Sequence, residues 1–206
     1  MLYRIFKRSF DFITALLLLA LISPVFIILM ISVGLFVGKP IFFCQVRAGK
    51  NAKSFNLLKF RTMTTAIGPD GKLLPDNERL TKFGRFLRNS SLDELPELIN
   101  IIKGDMAVIG PRPLYPRYND FYTDYEKKRF HVRGGLIPPE SLYHDSFVTW
   151  DKQLKYEADY AEKVSITLDF RIFVSVFKTI FVRNKRDYGE YIRKPLDVER
   201  ADTCTK

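Results

Sequence analysis

Residues Phe12 to Gly38 read FITALLLLALISPVFIILMISVGLFVG, 27 consecutive positions without a charge. About 20 apolar residues cross a bilayer as a helix; at roughly 1.5 Å per residue this run reaches about 40 Å, beyond the ~30 Å hydrocarbon core. A cleaved signal sequence needs an apolar core of only about 7–15 residues. The run therefore reads as a membrane element that stays in the protein. Ser23-Pro24 sits near its middle. Proline removes a backbone donor and clashes with the preceding turn, so a kink is predicted there. Each half is roughly 18–20 Å long, enough to dip into a bilayer and too short to cross it. A kinked spanning helix and a re-entrant helix that leaves by the side it entered both fit. Arg4, Lys7 and Arg8 precede the run, and Lys39, Arg47, Lys50 and Lys53 follow it. By the positive-inside rule both ends belong in the cytoplasm.

Around this segment lie 206 residues in all, 47% hydrophobic and 27% charged. That is too apolar for a disordered chain and too charged for a polytopic transporter. The length suits one domain plus an anchor. Lys and Arg number 33 against 23 Asp and Glu, a net charge of +10, which favours phosphates, an anionic membrane surface or nucleic acid as partners. Cys44 and Cys204 are the only cysteines and His131 and His144 the only histidines. A disulfide framework, a cysteine zinc site and a multi-histidine metal centre are thereby excluded.

After the anchor, Ile41–Arg47 and Ser54–Arg61 are rich in β-branched and aromatic residues, and Ala48-Gly49-Lys50-Asn51 between them predicts a hairpin. Ala66–Asp76 reads as a loop, Thr81–Arg88 as a short basic helix, and Ser91–Ile102 as a second helix with Leu92, Leu95, Leu98, Ile99 and Ile102 on one face. Ala107–Ile109 is a short buried strand or turn. Tyr118–Phe130 is predicted as a charged amphipathic helix, and Gly134-Gly135 with Pro138-Pro139 as an irregular loop. Trp150–Lys163 and Leu168–Val182 are predicted helices. In the latter, Ile172, Phe173, Val176, Phe177 and Ile180 share a face, which suits either an interfacial helix on the bilayer or core packing. The tail beyond Tyr191 reads as poorly ordered.

The chemistry concentrates in Arg88-Asn89-Ser90-Ser91-Leu92-Asp93-Glu94-Leu95-Pro96. Ser91 and Glu94 have capping-box spacing, so helix capping is the structural role predicted for Glu94. Asp93 has no such duty. Beside Lys82, Arg85 and Arg88 it is expected to stay ionised, and an ionised carboxylate in a basic setting can attack phosphorus or ligate a hard metal. Alternation puts Lys59 and Arg61 on one face of their strand, and Arg112 stands between two prolines. Arginine suits bidentate phosphate recognition and lysine a point contact. Most such basic residues are solvated surface charges; their company of carboxylates, rigid turns and an anchor points instead to metal-assisted transfer on a phosphorylated substrate.

Lys59-Phe60-Arg61-Thr62-Met63, the Arg88–Pro96 segment, Asn100, Gly104-Asp105-Met106 and Val108 through Leu114 together resemble the bacterial sugar transferases, and among them the small monotopic phosphoglycosyl transferases. The resemblance covers roughly residues 3–133 and resumes over Trp150–Asp169. It implies an α+β, mainly helical fold with a re-entrant membrane helix broken at Ser23-Pro24, a small β-hairpin, catalytic helices and interfacial amphipathic helices. The implied division is a membrane helix at 1–38, a membrane-associated transferase domain at 39–190, and a tail at 191–206. It also implies transfer of a sugar 1-phosphate from a UDP-sugar to undecaprenyl phosphate with Mg²⁺, at the cytoplasmic face of the bacterial inner membrane. Asp93 matches the family nucleophile and Glu94 its acidic neighbour, both as metal ligands; Lys59, Arg88 and Arg112 match phosphate-gripping positions. Membrane lipids, and glycan-assembly enzymes or a second copy of the chain, are the remaining partners this implies; no RNA- or DNA-binding motif is visible. The chain departs from the family between Gly134 and Asp145, where relatives carry a Pro-Gly-Ile-Thr-Gly and Gln-Val-Asn-Gly-Arg pattern, so no residue is carried over there. Glu97 and Ala107 also replace the usual Gln and Ser. The competing classes are a membrane-anchored basic binding module and a scaffold without catalysis.

Overall fold

Helix α1 spans Leu2–Leu21 and α2 spans Ser23–Phe36 in the computed structural model, which describes residues 2–143, 148–183 and 193–204. The two helices bend by 68° at Ile22. The cause is local. In an unbroken helix the Ala20 carbonyl would accept from the amide of residue 24, and Pro24 has none. The Ser23 hydroxyl donates to that carbonyl instead, at 2.8 Å. Pro24 itself sits in the first turn of α2, where a missing N–H costs nothing. No single helix among the described residues is long and apolar enough to cross a membrane; the bent pair is, by length and composition.

The chain forms two compact units. One comprises residues 12–45 and 56–103, the other 1–11, 46–55 and 104–206. In the first, α2 buries Phe26, Leu29 and Val33 against Phe60 and Leu87. Its other side leaves Ile27, Ile28, Ile31, Leu35 and Phe36 more than half exposed. A helix apolar on both sides, packed on one only, has a face suited to lipid. Strands β1 (Phe42–Ala48) and β2 (Ser54–Phe60) pair as predicted. Phe42 and Phe60 stack at 5.6 Å and Phe60 meets Phe26 at 5.1 Å.

The predicted loop after β2 contains an isolated bridge, Ile67 to Leu73, and leads into α3 (Asp76–Arg79). Helix α4 (Lys82–Asn89) starts at Thr81, whose hydroxyl caps it by accepting from the Gly84 amide at 2.8 Å. A Cβ on Gly84 would lie 1.9 Å from the Thr62 carbonyl oxygen, so only glycine lets α4 come this close to the end of β2. The helix predicted over Ser91–Ile102 is instead a 3₁₀ turn, Leu92–Glu94, followed by α5 (Glu97–Lys103). Ser91 has φ 57° and makes no cap bond, which overturns the capping box. A left-handed residue does not have the extended backbone an N-cap requires.

In the second unit, β3 (Met106–Ile109) pairs in parallel with β4 (Gly134–Ile137), Met106 opposite Gly134 and Ile109 opposite Ile137. The Gly134-Gly135 segment is thus a strand rather than an irregular loop. A Cβ on Gly135 would fall 2.0 Å from the Gly110 nitrogen, so the missing side chain is what permits the pairing. The predicted helix over Tyr118–Phe130 is two 3₁₀ segments, Pro116–Phe121 and Glu126–His131. Burial of Glu126 and Arg129 through distant partners sets these turns, overriding a surface-helix pattern. Helix α6 covers Trp150–Lys163 and α7 Ile166–Arg183. On α7, Ile172 joins the core while Phe170 and Phe173 are exposed, so the predicted apolar face is divided between interior and surface; the side chains of Phe177 and Ile180 lie outside the described residues. The tail is ordered where described: α8 (Leu196–Cys204) buries Leu196 beside Trp150 and Tyr118, and Arg200 clasps Glu126 with two bonds of 2.6 and 2.7 Å.

Candidate active site

Lys59, Arg88, Asp93 and Glu94 all belong to the unit built on α2 and the base of the hairpin, and each is positioned by a traceable contact. Asn100 on α5 presents its side-chain amide to β2 as a strand would, donating to the Asn56 carbonyl at 2.8 Å and accepting from the Leu58 amide at 2.9 Å. This fixes the turn carrying Asp93 and Glu94 against the strand carrying Lys59. The Lys59 ammonium then lies 2.7 Å from Glu94 Oε1 and 3.3 Å from Glu97 Oε1. One cation bridges two carboxylates, all with side chains no more than 20% exposed. Glu94 is therefore held by Lys59, not by a helix cap. Arg88, in the last turn of α4, donates Nε to the Thr62 hydroxyl at 3.0 Å, which leaves the rest of its guanidinium to face an anion.

Asp93 is half-buried. Burial raises its carboxyl above the ordinary range, Lys59 lowers it, adjacent Glu94 raises it and Arg88 lowers it. A carboxylate partly stripped of water yet opposed by two cations is a better nucleophile than a solvated one and remains ionisable. Among the described residues no three acidic, histidine or cysteine side chains converge as a metal cage. Asp93 and Glu94 are the oxygen donors at hand. Magnesium commonly takes one or two carboxylates and completes its octahedron with phosphate oxygens and water, and the pair fits that use.

Arg112 belongs to the other unit. Its loop is tied to β4 by the Gly135 amide, which donates to the Pro111 carbonyl at 2.9 Å. A buried ion pair then holds Arg112 by both backbone groups: its N–H donates to Glu157 Oε1 at 3.1 Å, and its carbonyl accepts from Arg129 at 2.6 Å. Arg129 and Glu157 pair at 2.8 Å with side chains at most 2% exposed. Arg112 also borders a small surface hollow lined with Gly49, Pro111, Arg129 and Gly134. Sequence reading singled out none of Thr62, Glu97, Arg129 and Glu157 as site supports. The site residues they hold lie 17 to 45 positions away, beyond the reach of local spacing.

One unit thus carries an exposed arginine on a turn held by a buried ion pair, and the other a carboxylate pair set among cations, residue types suited to handling phosphates. The bacterial sugar transferase family profile matches residues 2–183, and this chain belongs to that family. It is 39% identical over 178 residues to the uncharacterized sugar transferase EpsL of Bacillus subtilis (strain 168), covering 86% of this chain and 88% of that protein. It is 35% identical over 191 residues to the exopolysaccharide production protein ExoY of Rhizobium meliloti (strain 1021), covering 84% and 83%. The UDP-glucose:undecaprenyl-phosphate glucose-1-phosphate transferase of Klebsiella pneumoniae is 35% identical over 185 residues, and here the match covers 84% of this chain but only 40% of the longer relative.

Proposed function

We propose that this chain transfers a sugar 1-phosphate from a UDP-sugar to undecaprenyl phosphate, starting a lipid-linked glycan at the cytoplasmic face of the membrane. The observation that carries the reading is the Asp93-Glu94 pair set between Lys59 and Arg88. The names of relatives that act on UDP-glucose and undecaprenyl phosphate supply the substrate classes. In the first step an Asp93 carboxylate oxygen attacks the phosphorus that carries the sugar. An acyl-phosphate bond forms, the bond to the bridging oxygen breaks, and UMP leaves with that electron pair. In the second step a phosphate oxygen of the polyprenol attacks the same phosphorus, the aspartyl bond breaks, and the free carboxylate returns.

Lys59 pairs with Glu94, while Arg88, bonded to Thr62 through Nε, offers its guanidinium to a phosphate. Arg112 of the other unit is a further phosphate-binding candidate, on a backbone pinned at both ends. Magnesium held by Asp93 or Glu94 would neutralise diphosphate charge, as hard cations do in phosphoryl transfer. The bent α1–α2 pair, charge-free from Phe12 to Gly38, is read as re-entrant, with residues 1–38 as the membrane element and 39–190 as the transferase body. Release of UMP from a UDP-sugar, dependent on undecaprenyl phosphate and lost in Asp93→Asn, tests the reading. Full turnover by Asp93→Asn would refute the covalent route, and absence of turnover with every UDP-sugar would favour a binding or scaffold protein.

A further inference from the structure

A hollow in the unit that holds the head of α1 is lined by charged and titratable side chains: Lys7, Arg8 and Asp11 from α1, Lys50 from the hairpin turn, and His131 and Arg133 from the stretch just before β4. The turn Lys50–Ala52 packs on the turn Glu126–His131, which is how Lys50 and His131 come to share it. Arg133 donates Nε to the Gly104 carbonyl at 2.7 Å. Arg8 lies against the same glycine, where a Cβ would fall 3.1 Å from its Nη2. Gly104 has φ 95° and no side chain, so guanidinium groups from distant parts of the chain reach one point.

Asp11 is the one acidic residue among those lining the hollow, and it is already engaged. Its Oδ1 accepts from the Val108 amide at 3.2 Å and lies 3.5 Å from the Lys7 ammonium, which Asp169 holds at 2.7 Å. Among the described residues no partner is left for the Lys50 ammonium, the His131 ring or the terminal nitrogens of Arg133. Lys50 and His131 are exposed and Arg133 half-buried. Donors of this kind facing one concave surface suit an anion with several oxygens, and a guanidinium beside an ammonium matches phosphate. The place of the hollow along α1 selects which phosphate. Lys7 to Asp11 directly precede the charge-free run, and at roughly 1.5 Å per residue they lie within about 8 Å of Phe12 along the axis. With that run in the bilayer, the hollow stands at headgroup level. We propose that it binds the phosphate headgroup of an anionic membrane phospholipid, held by Lys50, His131 and Arg133. This rests on the membrane placement given under the proposed function and not on the transfer chemistry.

The full chain in nanodiscs of equal phosphatidylglycerol and phosphatidylcholine tests this, with native mass spectrometry reading the lipid that stays bound on release. The wild type should retain phosphatidylglycerol in preference to phosphatidylcholine. Lys50→Gln should lower that retention about fivefold, the worth of one lysine at an anionic surface. Lys50 is exposed and its side chain makes no bond among the described residues, so the change leaves folding alone. Lys53→Gln removes an equal charge three positions away and outside the hollow, and should leave retention unchanged. Equal losses in the two variants would mean diffuse attraction to the surface and overturn the site. Arg133→Lys keeps the charge without the planar fork of donors and should also release the lipid; retention at the wild-type level would overturn the proposal. Doping the nanodiscs with undecaprenyl phosphate separates two lipid phosphates: its displacement of phosphatidylglycerol, dependent on Lys50, would overturn the phospholipid assignment. Failure of the chain to enter nanodiscs at all would overturn the membrane placement and the proposal with it, whereas entry without lipid preference overturns the proposal alone.

Discussion

Lys59 pairs with two carboxylates, Glu94 and Glu97. Removing it takes a positive charge from beside both in a largely enclosed place. Lys59→Met should cost about 2 kcal/mol of stability by urea denaturation, less than a fully buried pair because solvent reaches the groups. It should lower UMP release further than the stability loss explains, because Asp93 loses its stronger cation. Lys59→Arg should retain most of the stability. Glu140 gives a pH signature of opposite sign to an ordinary paired carboxylate. Burial lifts its folded value to about 8 against an unfolded 4.5, so the unfolded chain ionises first. Its contribution is full below about pH 4.5 and is lost as the pH rises through about 8. Glu140→Gln should therefore melt above the wild type at pH 8, and the gap should close toward pH 4.5; scanning calorimetry across pH checks this. Lys59, Arg88, Asp93, Glu94 and Arg112, which the proposed function uses, can be picked out in the sequence because each sits in a short motif. What holds them was not legible. Thr62, Asn100 and Glu157 act across long sequence separations, and no local period encodes such contacts.

At the scale of elements, the turn at Ser91 separates two readings cleanly. A capping serine loses about 1 kcal/mol on mutation, whereas a left-handed residue gains about as much on becoming glycine. With φ 57° and no cap bond, Ser91→Gly should raise the melting temperature. Gly84→Ala should do the reverse of what helix propensity suggests. A methyl 1.9 Å from the Thr62 carbonyl forces α4 outward, at a cost of about 2–3 kcal/mol, and takes Arg88 away from its hydroxyl partner. Elements with a strong period or a true cap, such as α4, α6 and the hairpin, follow from the sequence. Those that do not, β4 and the two 3₁₀ segments near Tyr118 and Arg129, take their form from a glycine-to-glycine approach and from buried ion pairs. The charged tail likewise reads as solvated until Arg200 meets Glu126 and Asp151.

For the molecule as a whole, the charge-free run and its cationic flanks make a test of sidedness available. In a chain with Cys44 and Cys204 replaced by serine, single cysteines at Arg4 and Lys39 should both react with an impermeant thiol reagent from the cytoplasmic side only. Labelling of either from the opposite side would mean that the bent pair spans the membrane. In the other unit, α7 also exposes apolar side chains, Phe170 and Phe173. Replacing both with serine should weaken retention of the chain by vesicles while leaving the α2 core intact, as sedimentation with liposomes would show.

The bond from Ser23 to the Ala20 carbonyl also bears on the order of events during synthesis. Donor and acceptor are three positions apart, and the missing amide belongs to the very next residue. The bend therefore needs nothing that the ribosome has yet to make. The corner can thus form before the hairpin strands and α4 emerge, with no contact from them needed to make the turn.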